Sequence, residues 1–298
     1  MRAAAQPERG GRVTGRRPGV RRAAASAAAA VLLALPPAGC GRAAHPAPEP
    51  RTLRVLQYNL CGAAAGCPWN AGGSGPGTSV ARLVREVVRR EPDVVTVNEI
   101  CLTQYTRLRR LLARSGRRMD GTYASSQDNV PACGPTGRFG SAVLSRGDVP
   151  DGRRDYRPFS HTGGETYTNA GRTVPVRRGL LCAHTRLGGQ PLVACTAHTS
   201  SAAPEQIREI RDRTAGFPAT LPVVFAGDLN LPPAAPALSL LRARFAEAGG
   251  DRPTAGGRKI DYVFADRRHF TAAGSVVRGG PESDHALLEG EFTRRGRT

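Results

Sequence analysis

The sequence is poor in aromatic residues, at 5%, and holds one tryptophan, Trp69, and two methionines. So few rings argue against a surface that docks on lipid through exposed aromatic loops. Lys259 is the only lysine, so the basic charge is carried almost wholly by arginine. No apolar run after residue 35 is long enough to cross a bilayer, which takes roughly 20 residues. The cysteines lack any C-x-x-C pair, the spacing that marks a structural zinc site. No internal repeat is visible, which excludes a solenoid. Acid is short as well: 24 Asp and Glu stand against 43 Lys and Arg.

What is present begins with an export leader. Residues 2–22 are Arg-rich, and 23–35 (AAASAAAAVLLAL) form an apolar run of 13, too short for a span and suited to a secretory signal. The run ends in Leu-Pro-Pro-Ala-Gly-Cys, residues 35–40. Ala38-Gly39-Cys40 resembles a lipoprotein cleavage box, and two readings stay open: a lipid anchor on Cys40, or simple secretion. The expected layout is a signal at 1–39, a Pro/Ala-rich tether at 40–51 and one domain at 52–294. The expected location is outside the cell, free or lipid-anchored at the membrane's outer face. Residues 1–39 contain seven arginines and one acid, so the rest of the chain keeps 36 basic and 23 acidic residues, a net of +13. Such a field attracts polyanions. A composition skewed to Arg, Ala, Gly and Pro gives the same excess without any such partner.

Export permits disulfides, and six cysteines follow Cys40. Residues 178–187 and 190–198 read as strands flanking Gly188-Gly189, a primed hairpin turn. A two-residue loop makes paired positions sum to 377, and Cys182 with Cys195 satisfies this at a non-hydrogen-bonded site, where side chains approach closely. The remaining expected pairs are Cys61–Cys67 and Cys101–Cys133.

Hydrophobic periodicity predicts strands at 53–58, 93–100, 139–145, 221–230, 258–265, 270–277 and 285–293. It predicts helices at 79–90 (with Ser79 as cap), 102–115, 203–215 and 236–247. Residues 60–77, 126–138 and 150–176 read as loops, the last lining a substrate site. Strands alternating with helices early and hairpins later indicate an α/β protein with mixed sheets.

Polar residues collect where strands meet loops. Asn59 and Glu99 end the first two strands, and His198 ends the hairpin. Asp228 and Asn230 follow an apolar run in GDLN, with both side chains on one side if the chain stays extended. Asp261 interrupts KIDYVF, and Asp284-His285 opens the last strand. Singly, each is more often a structural cap, an ion pair or a satisfied histidine. Together, carboxylate and amide oxygens suit a hard cation, and a cation beside Asp/His pairs is equipment for attacking a phosphodiester.

The ordered set LQYNLCG, DVVTVNEI, FGSAVLS, VRRGLL, CTAHTS, FAGDLN, KIDYVF and SDHALL resembles the endonuclease/exonuclease/phosphatase superfamily across residues 53–293. The resemblance implies a four-layer α/β/β/α sandwich of two mixed sheets flanked by helices. It implies a Mg²⁺ site (or Mn²⁺ or Ca²⁺) at Glu99, with Asn59 and Asp284 nearby. Asp228 would activate water and Asn230 would fix Asp228 or the phosphate. Asp261 would hold His285 against the scissile phosphate. His198 would stabilise the phosphate or protonate the leaving oxygen. Arg178, or its neighbour Arg177, would contact the phosphate, as would Asn59. The chain departs from the pattern at Ser141, where relatives often carry Asn, and shows no acid matched to His198. The function expected is an exported phosphodiesterase, a nuclease first. The alternatives are a lipid phosphodiesterase or phosphatase and an inactive binding scaffold. A monomer with no protein partner is expected.

Overall fold

The chain divides into Met1–His45 and Pro46–Thr298. The computed structural model describes residues 52–63, 67, 77–150, 154–169 and 171–296, all within the second unit. The leader, Cys40, the tether before residue 52 and Trp69 lie outside the described residues.

The first sheet runs β13-β14-β1-β2-β4-β3, with β13 at Phe270–Arg278, and the second β11-β12-β10-β9-β8-β5. Their central strands are β1 (Thr52–Asn59), β2 (Val94–Cys101), β9 (Gln190–His198) and β10 (Val223–Asp228). β1 pairs parallel with β2 through helix α1 (Gly77–Arg90), and β9 pairs parallel with β10 through α3 (Ala203–Ala215). Each sheet thus holds one β-α-β unit, and a parallel pair needs such a crossover. The remaining partners are antiparallel: β14 (Leu287–Arg294) beside β1, β4 (Phe139–Ser145) beside β2, and β12 (Asp261–Asp266) beside β10.

Alternation along the strands builds the layers. Leu53, Val55, Val94, Val143, Leu181, Val224 and Val263 fill the space between the sheets. Their neighbours Leu56, Val95 and Leu144 point outward to α1 and α2 (Leu102–Arg114). Phe225, Tyr262 and Phe264 point outward to Ile207 and Ile210 of α3. Each fully buried apolar side chain contributes about 1.5–3 kcal/mol. The result is the expected α/β/β/α sandwich.

All three expected disulfides are present, with Cα–Cα separations of 5.7, 5.2 and 4.0 Å for Cys61–Cys67, Cys101–Cys133 and Cys182–Cys195. Gly188 and Gly189 both adopt positive φ, 56° and 83°, as a primed turn requires. Cys182 and Cys195 are direct partners across β8 (Gly179–Leu187) and β9.

Several sequence expectations give way. Helix α1 begins at Gly77, so Ser79 lies inside it, buried, and does not cap it. The helix expected at 236–247 shrinks to a 3-10 turn (Pro236–Leu238) and α4 (Ser239–Arg242). Its C-terminal part instead forms edge strand β11 (Phe245–Ala248) against β12, burying Phe245. Tertiary pairing overrides the helical propensity of that Ala/Leu/Arg stretch. β3 (Asp120–Gln127) was invisible, because DGTYASSQ is a polar edge strand. The 150–176 region carries β5 (Arg154–Pro158) and a separate hairpin of β6 (Thr166–Asn169) and β7 (Arg172–Pro175).

Candidate active site

The C-terminal ends of β1, β2, β9 and β10 converge at one end of the sandwich. There the inward-facing positions change from apolar to polar. Val55 is followed by Gln57 and Asn59, Val94 by Thr96 and Asn98, Ala194 by Thr196 and His198, and Ala226 by Asp228. Asp261 is the matching inward position on β12, directly opposite Asp228. The same period that builds the core therefore delivers the site.

Asp228 is the hub, with its side chain only 2% exposed. Its Oδ2 accepts from Asn59 Nδ2 (3.0 Å) and lies 3.3 Å from His198 Nε2 and 3.6 Å from His285 Nε2. Its Oδ1 accepts from the backbone N–H of Asn230 (3.1 Å). Asn59 Nδ2 also reaches Glu99 Oε1 (3.2 Å), so one amide bridges two carboxylates. His285 Nδ1 meets Asp261 Oδ2 at 2.8 Å, which fixes the imidazole and leaves Nε2 facing Asp228. Arg178 Nη1 lies against the His198 ring, 2.7 Å from Nε2. Arg178 Nη2 donates to Glu165 (3.3 Å).

Three residues here adopt left-handed backbone: Cys61 (φ 49°), Glu99 (φ 54°) and Asn230 (φ 50°). Such conformations cost about 1–3 kcal/mol each and persist where their surroundings over-determine them. At Glu99 the pairing of β2 with β4 shifts register between Val97 and Ile100, a bulge that re-aims the carboxylate. At Asn230 the chain has already turned, so the expectation of two parallel side chains in GDLN fails. Leu229 packs into the core, and Asn230 Nδ2 donates to Thr199 O (2.8 Å). Asn230 supports Asp228 through its backbone.

Asp284 is exposed, and its carboxylate accepts from Ser283 Oγ at 3.4 Å. Ser283 Oγ also donates to Asn59 O (2.8 Å) and accepts from His285 N (3.1 Å), tying the start of the last strand to the end of β1. For His198, the nearest acids among the described residues are Asp228 and Glu99, whose Oε1 is 3.8 Å from Nδ1. His198 has no acid of its own among these and shares the Asp228 hub.

Beneath the site runs a buried polar network that the sequence reading missed. Thr96 Oγ1 donates to Gln57 Oε1 (2.6 Å), and Gln57 Nε2 donates to Asn98 Oδ1 (2.7 Å) and Asp261 Oδ1 (3.3 Å). Asn98 Oδ1 accepts from Asp228 N (3.1 Å), and Asn98 Nδ2 donates to Thr196 Oγ1 (3.2 Å) and Ser141 Oγ (3.1 Å). Thr96 and Asn98 share one face of an otherwise apolar strand, which alone does not show that the face is buried; once the second sheet seals it, buried amides must find partners.

Charge follows from these contacts. Burial opposes the charge of His285, but the Asp261 hydrogen bond and the charges of Asp261, Asp228 and Asp284 outweigh it and raise its pKa to about 9. Burial, reinforced by Asp261 and Glu99 against the opposing pull of His285 and Asn59, pushes Asp228 up to about 7. Burial and then the Arg178 and His285 charges hold His198 well below the usual range, so it is neutral.

A divalent cation fits the mouth of this cluster. Glu99 offers a hard carboxylate, 18% exposed, and its charge already disfavours ionised Asp228; Asn59 turns Nδ2 to both carboxylates and Oδ1 to Cys61 N (3.0 Å), so it orients Glu99. A cation relieves that repulsion. Asp228, Asp261 and His285 also have donor atoms within 4.8 Å of one another. Asp261 is bonded to His285 there and the imidazole is charged, so that trio suits proton handling.

The site opens into a cavity of about 530 Å³, which Glu99 and Arg178 border. A narrow extension lined by Glu99, Phe139, Arg178 and His198 leads onward.

Two mixed sheets with an Asn/Glu/Asp/His cluster at their shared end define a phosphoester hydrolase of the sandwich type. The model of the endonuclease/exonuclease/phosphatase family matches residues 56–285, and the chain belongs to that family. Its members act on phosphate esters by hydrolysis, generally with divalent metals. No curated protein sequence matches the chain. Among solved structures, an endonuclease/exonuclease/phosphatase from Beutenbergia cavernae is 24% identical, with a TM-score of 0.64 over 83% of this chain and 72% of that one. The Bacteroides thetaiotaomicron mannosyl-6-phosphatase Bt3783 is 17% identical (TM-score 0.59, covering 81% and 99%). D. rerio TDP2 complexed with single strand DNA product is 16% identical (TM-score 0.55, 81% and 99%).

Proposed function

We propose that the protein is an exported, divalent-metal-dependent phosphodiesterase acting on nucleic acid. The observation that carries the reading is the convergence of Asn59, His198 and His285 on one oxygen of Asp228, with Glu99 and Arg178 at the mouth. Asp228, raised to about 7, suits a general base that takes a proton from water near neutral pH. His285, charged and held by Asp261, presents Nε2 to the phosphate or the leaving oxygen. Neutral His198 is a hydrogen-bond partner for the phosphate and leaves proton donation to His285. Arg178 neutralises phosphoryl charge beside it. Glu99 would hold the cation, with Asn59 orienting its carboxylate and the exposed Asp284 as a further oxygen ligand; when bound it withdraws charge from the phosphate. Similar folds include a mannosyl-6-phosphatase and a TDP2 holding single-strand DNA, so fold alone does not choose the substrate. The net of +13 outside the leader and the scarcity of aromatic residues favour a polyanion over a lipid surface.

The test is hydrolysis of plasmid DNA, RNA and sphingomyelin by the full chain with magnesium, manganese or calcium. Asp228→Ala and His285→Ala are each expected to lose at least ~100-fold in rate, the usual scale for general acid–base groups. Wild-type rates in both variants would defeat the assignment. Chelation is expected to abolish turnover and added cation to restore it.

A further inference from the structure

We infer that the 530 Å³ cavity beside the metal-ligand carboxylate receives one unstacked nucleobase of the substrate strand, next to the scissile phosphate. This rests on the phosphodiesterase reading above and names the substrate form that reading leaves open.

The cavity is continuous with the catalytic cleft, because Glu99, Phe139 and Arg178 border both. Its walls are otherwise mostly apolar among the described residues. One wall is the 3-10 turn Pro131–Thr136 after Val130; the other is the β6–β7 hairpin with Tyr167 and Val176. Both walls are fixed in advance. Cys133 of the turn is bonded to Cys101, two residues beyond Glu99, and Val130 N donates to Gly137 O (2.8 Å). Val176 N donates to Glu165 O (2.8 Å), and Glu165 in turn accepts from Arg178 (3.3 Å). Gln127 joins the two walls by accepting Arg177 N–H through Oε1 (3.0 Å). That orientation leaves the Gln127 NH₂ for an acceptor in the cavity.

Chemistry selects the occupant. A sugar-phosphate chain finds little to bind against Val130, Pro131 and Val176. A quaternary ammonium headgroup meets two arginines, Arg177 and Arg178, against the single carboxylate of Glu99, a rim of net positive charge. A flat, neutral ring with polar edges fits: Phe139 and Tyr167 offer ring surface, and Gln127 offers donors. The Tyr167 hydroxyl is buried with no hydrogen-bond partner in the structure. Exposed Arg177 stands where the next phosphate of the strand would pass. A base can enter only out of the stack, so single strands are the preferred form.

The test uses the full chain with magnesium or manganese on a single-stranded oligodeoxynucleotide, its duplex, and strands with one abasic nucleotide scanned along the sequence. Cleavage positions are mapped on gels. An abasic nucleotide at the cavity position is expected to lower kcat/KM about tenfold, through KM, as loss of one base stacked on aromatic side chains does. The duplex is expected to be cut more slowly than the single strand. Phe139→Leu and Tyr167→Leu should bring the ratio of base-bearing to abasic kcat/KM toward one, and Phe139→Tyr should restore it. The ratio does not depend on how much of a variant folds. Equal cleavage of abasic and base-bearing strands, or a duplex cut as fast as the single strand, overturns the inference while leaving the phosphodiesterase reading intact. Turnover of sphingomyelin vesicles that depends on Phe139, with no oligonucleotide cleaved, gives the cavity to a lipid arm and also overturns it. Absence of cleavage of any phosphodiester, including sphingomyelin, sinks the parent reading itself.

Discussion

At the scale of single residues, the site is a set of groups whose charges are set by one another. His285 illustrates the consequence for stability. Its folded pKa, near 9, lies above its ordinary 6.5 because Asp261 and neighbouring carboxylates outweigh burial. The folded state therefore keeps a proton that the unfolded chain releases between pH 6.5 and 9. The stabilisation is full below 6.5 and is lost as pH rises through 9, about 3 kcal/mol in all. Asp228, also raised, acts in the same direction but between about 4 and 7, so the upper window belongs to His285. The melting temperature of chelator-treated protein should fall by several degrees from pH 6.5 to 9. Asp261→Asn should flatten that slope, and an identical slope in the variant would show that the pair does not set it. Which residues gather is legible in the sequence: Asn59, Glu99, His198, Asp228, Asp261 and His285 stand at strand ends, and they meet. Their supporting network is not. Gln57, Asn98 and Thr196 looked like ordinary strand residues, because only the packing of one sheet on the other reveals that their faces are sealed from water.

At the scale of elements, strands were easier to place than their edges. Central strands such as β2 and β10 are almost wholly buried, and their runs of valine carry their own signal. β3 and β11 exist because a neighbour pairs with them, and local propensity points elsewhere. The hairpin of β8 and β9 was legible down to its register, since turn type and cysteine spacing fix it independently. A different device positions the start of the last strand. Arg82 of α1, nearly buried, donates to Glu282 (2.6 Å), Arg278 O (2.9 Å) and Gly279 O (2.7 Å). It clamps the segment that ends in Ser283-Asp284-His285. Arg82→Gln should destabilise by about 2 kcal/mol, less than a fully buried pair because Glu282 is partly exposed. It should also lower kcat about 10- to 100-fold with KM little changed, the scale on which misplaced catalytic groups act. A variant that melts earlier yet turns over normally per folded molecule would assign Arg82 to stability alone.

At the scale of the whole molecule, the open matter is whether the positive charge serves the substrate or follows from a composition rich in arginine. The two differ in how activity responds to salt. Many cations sit away from the mouth: Arg107, Arg110 and Arg114 are exposed along α2, whose axis leads away from Glu99. At about 0.15 M salt the screening length is roughly 8 Å, so such charges act weakly on a strand at the site. Arg177 and Arg178 border the cavity and would stay in contact with phosphates. Two such contacts on a single strand give a slope of log(kcat/KM) against log[salt] of about −1.4 when KM reports binding. The slope should steepen as the distant arginines join at low salt. Arg177→Gln should reduce it by about 0.7 without changing the preference for a base-bearing nucleotide. The measurement is kcat/KM on one short oligonucleotide from 20 to 300 mM salt at fixed free cation. A slope near zero in the wild type would mean that the excess arginine is compositional, and that recognition rests on the catalytic cluster and the cavity without help from the field around them.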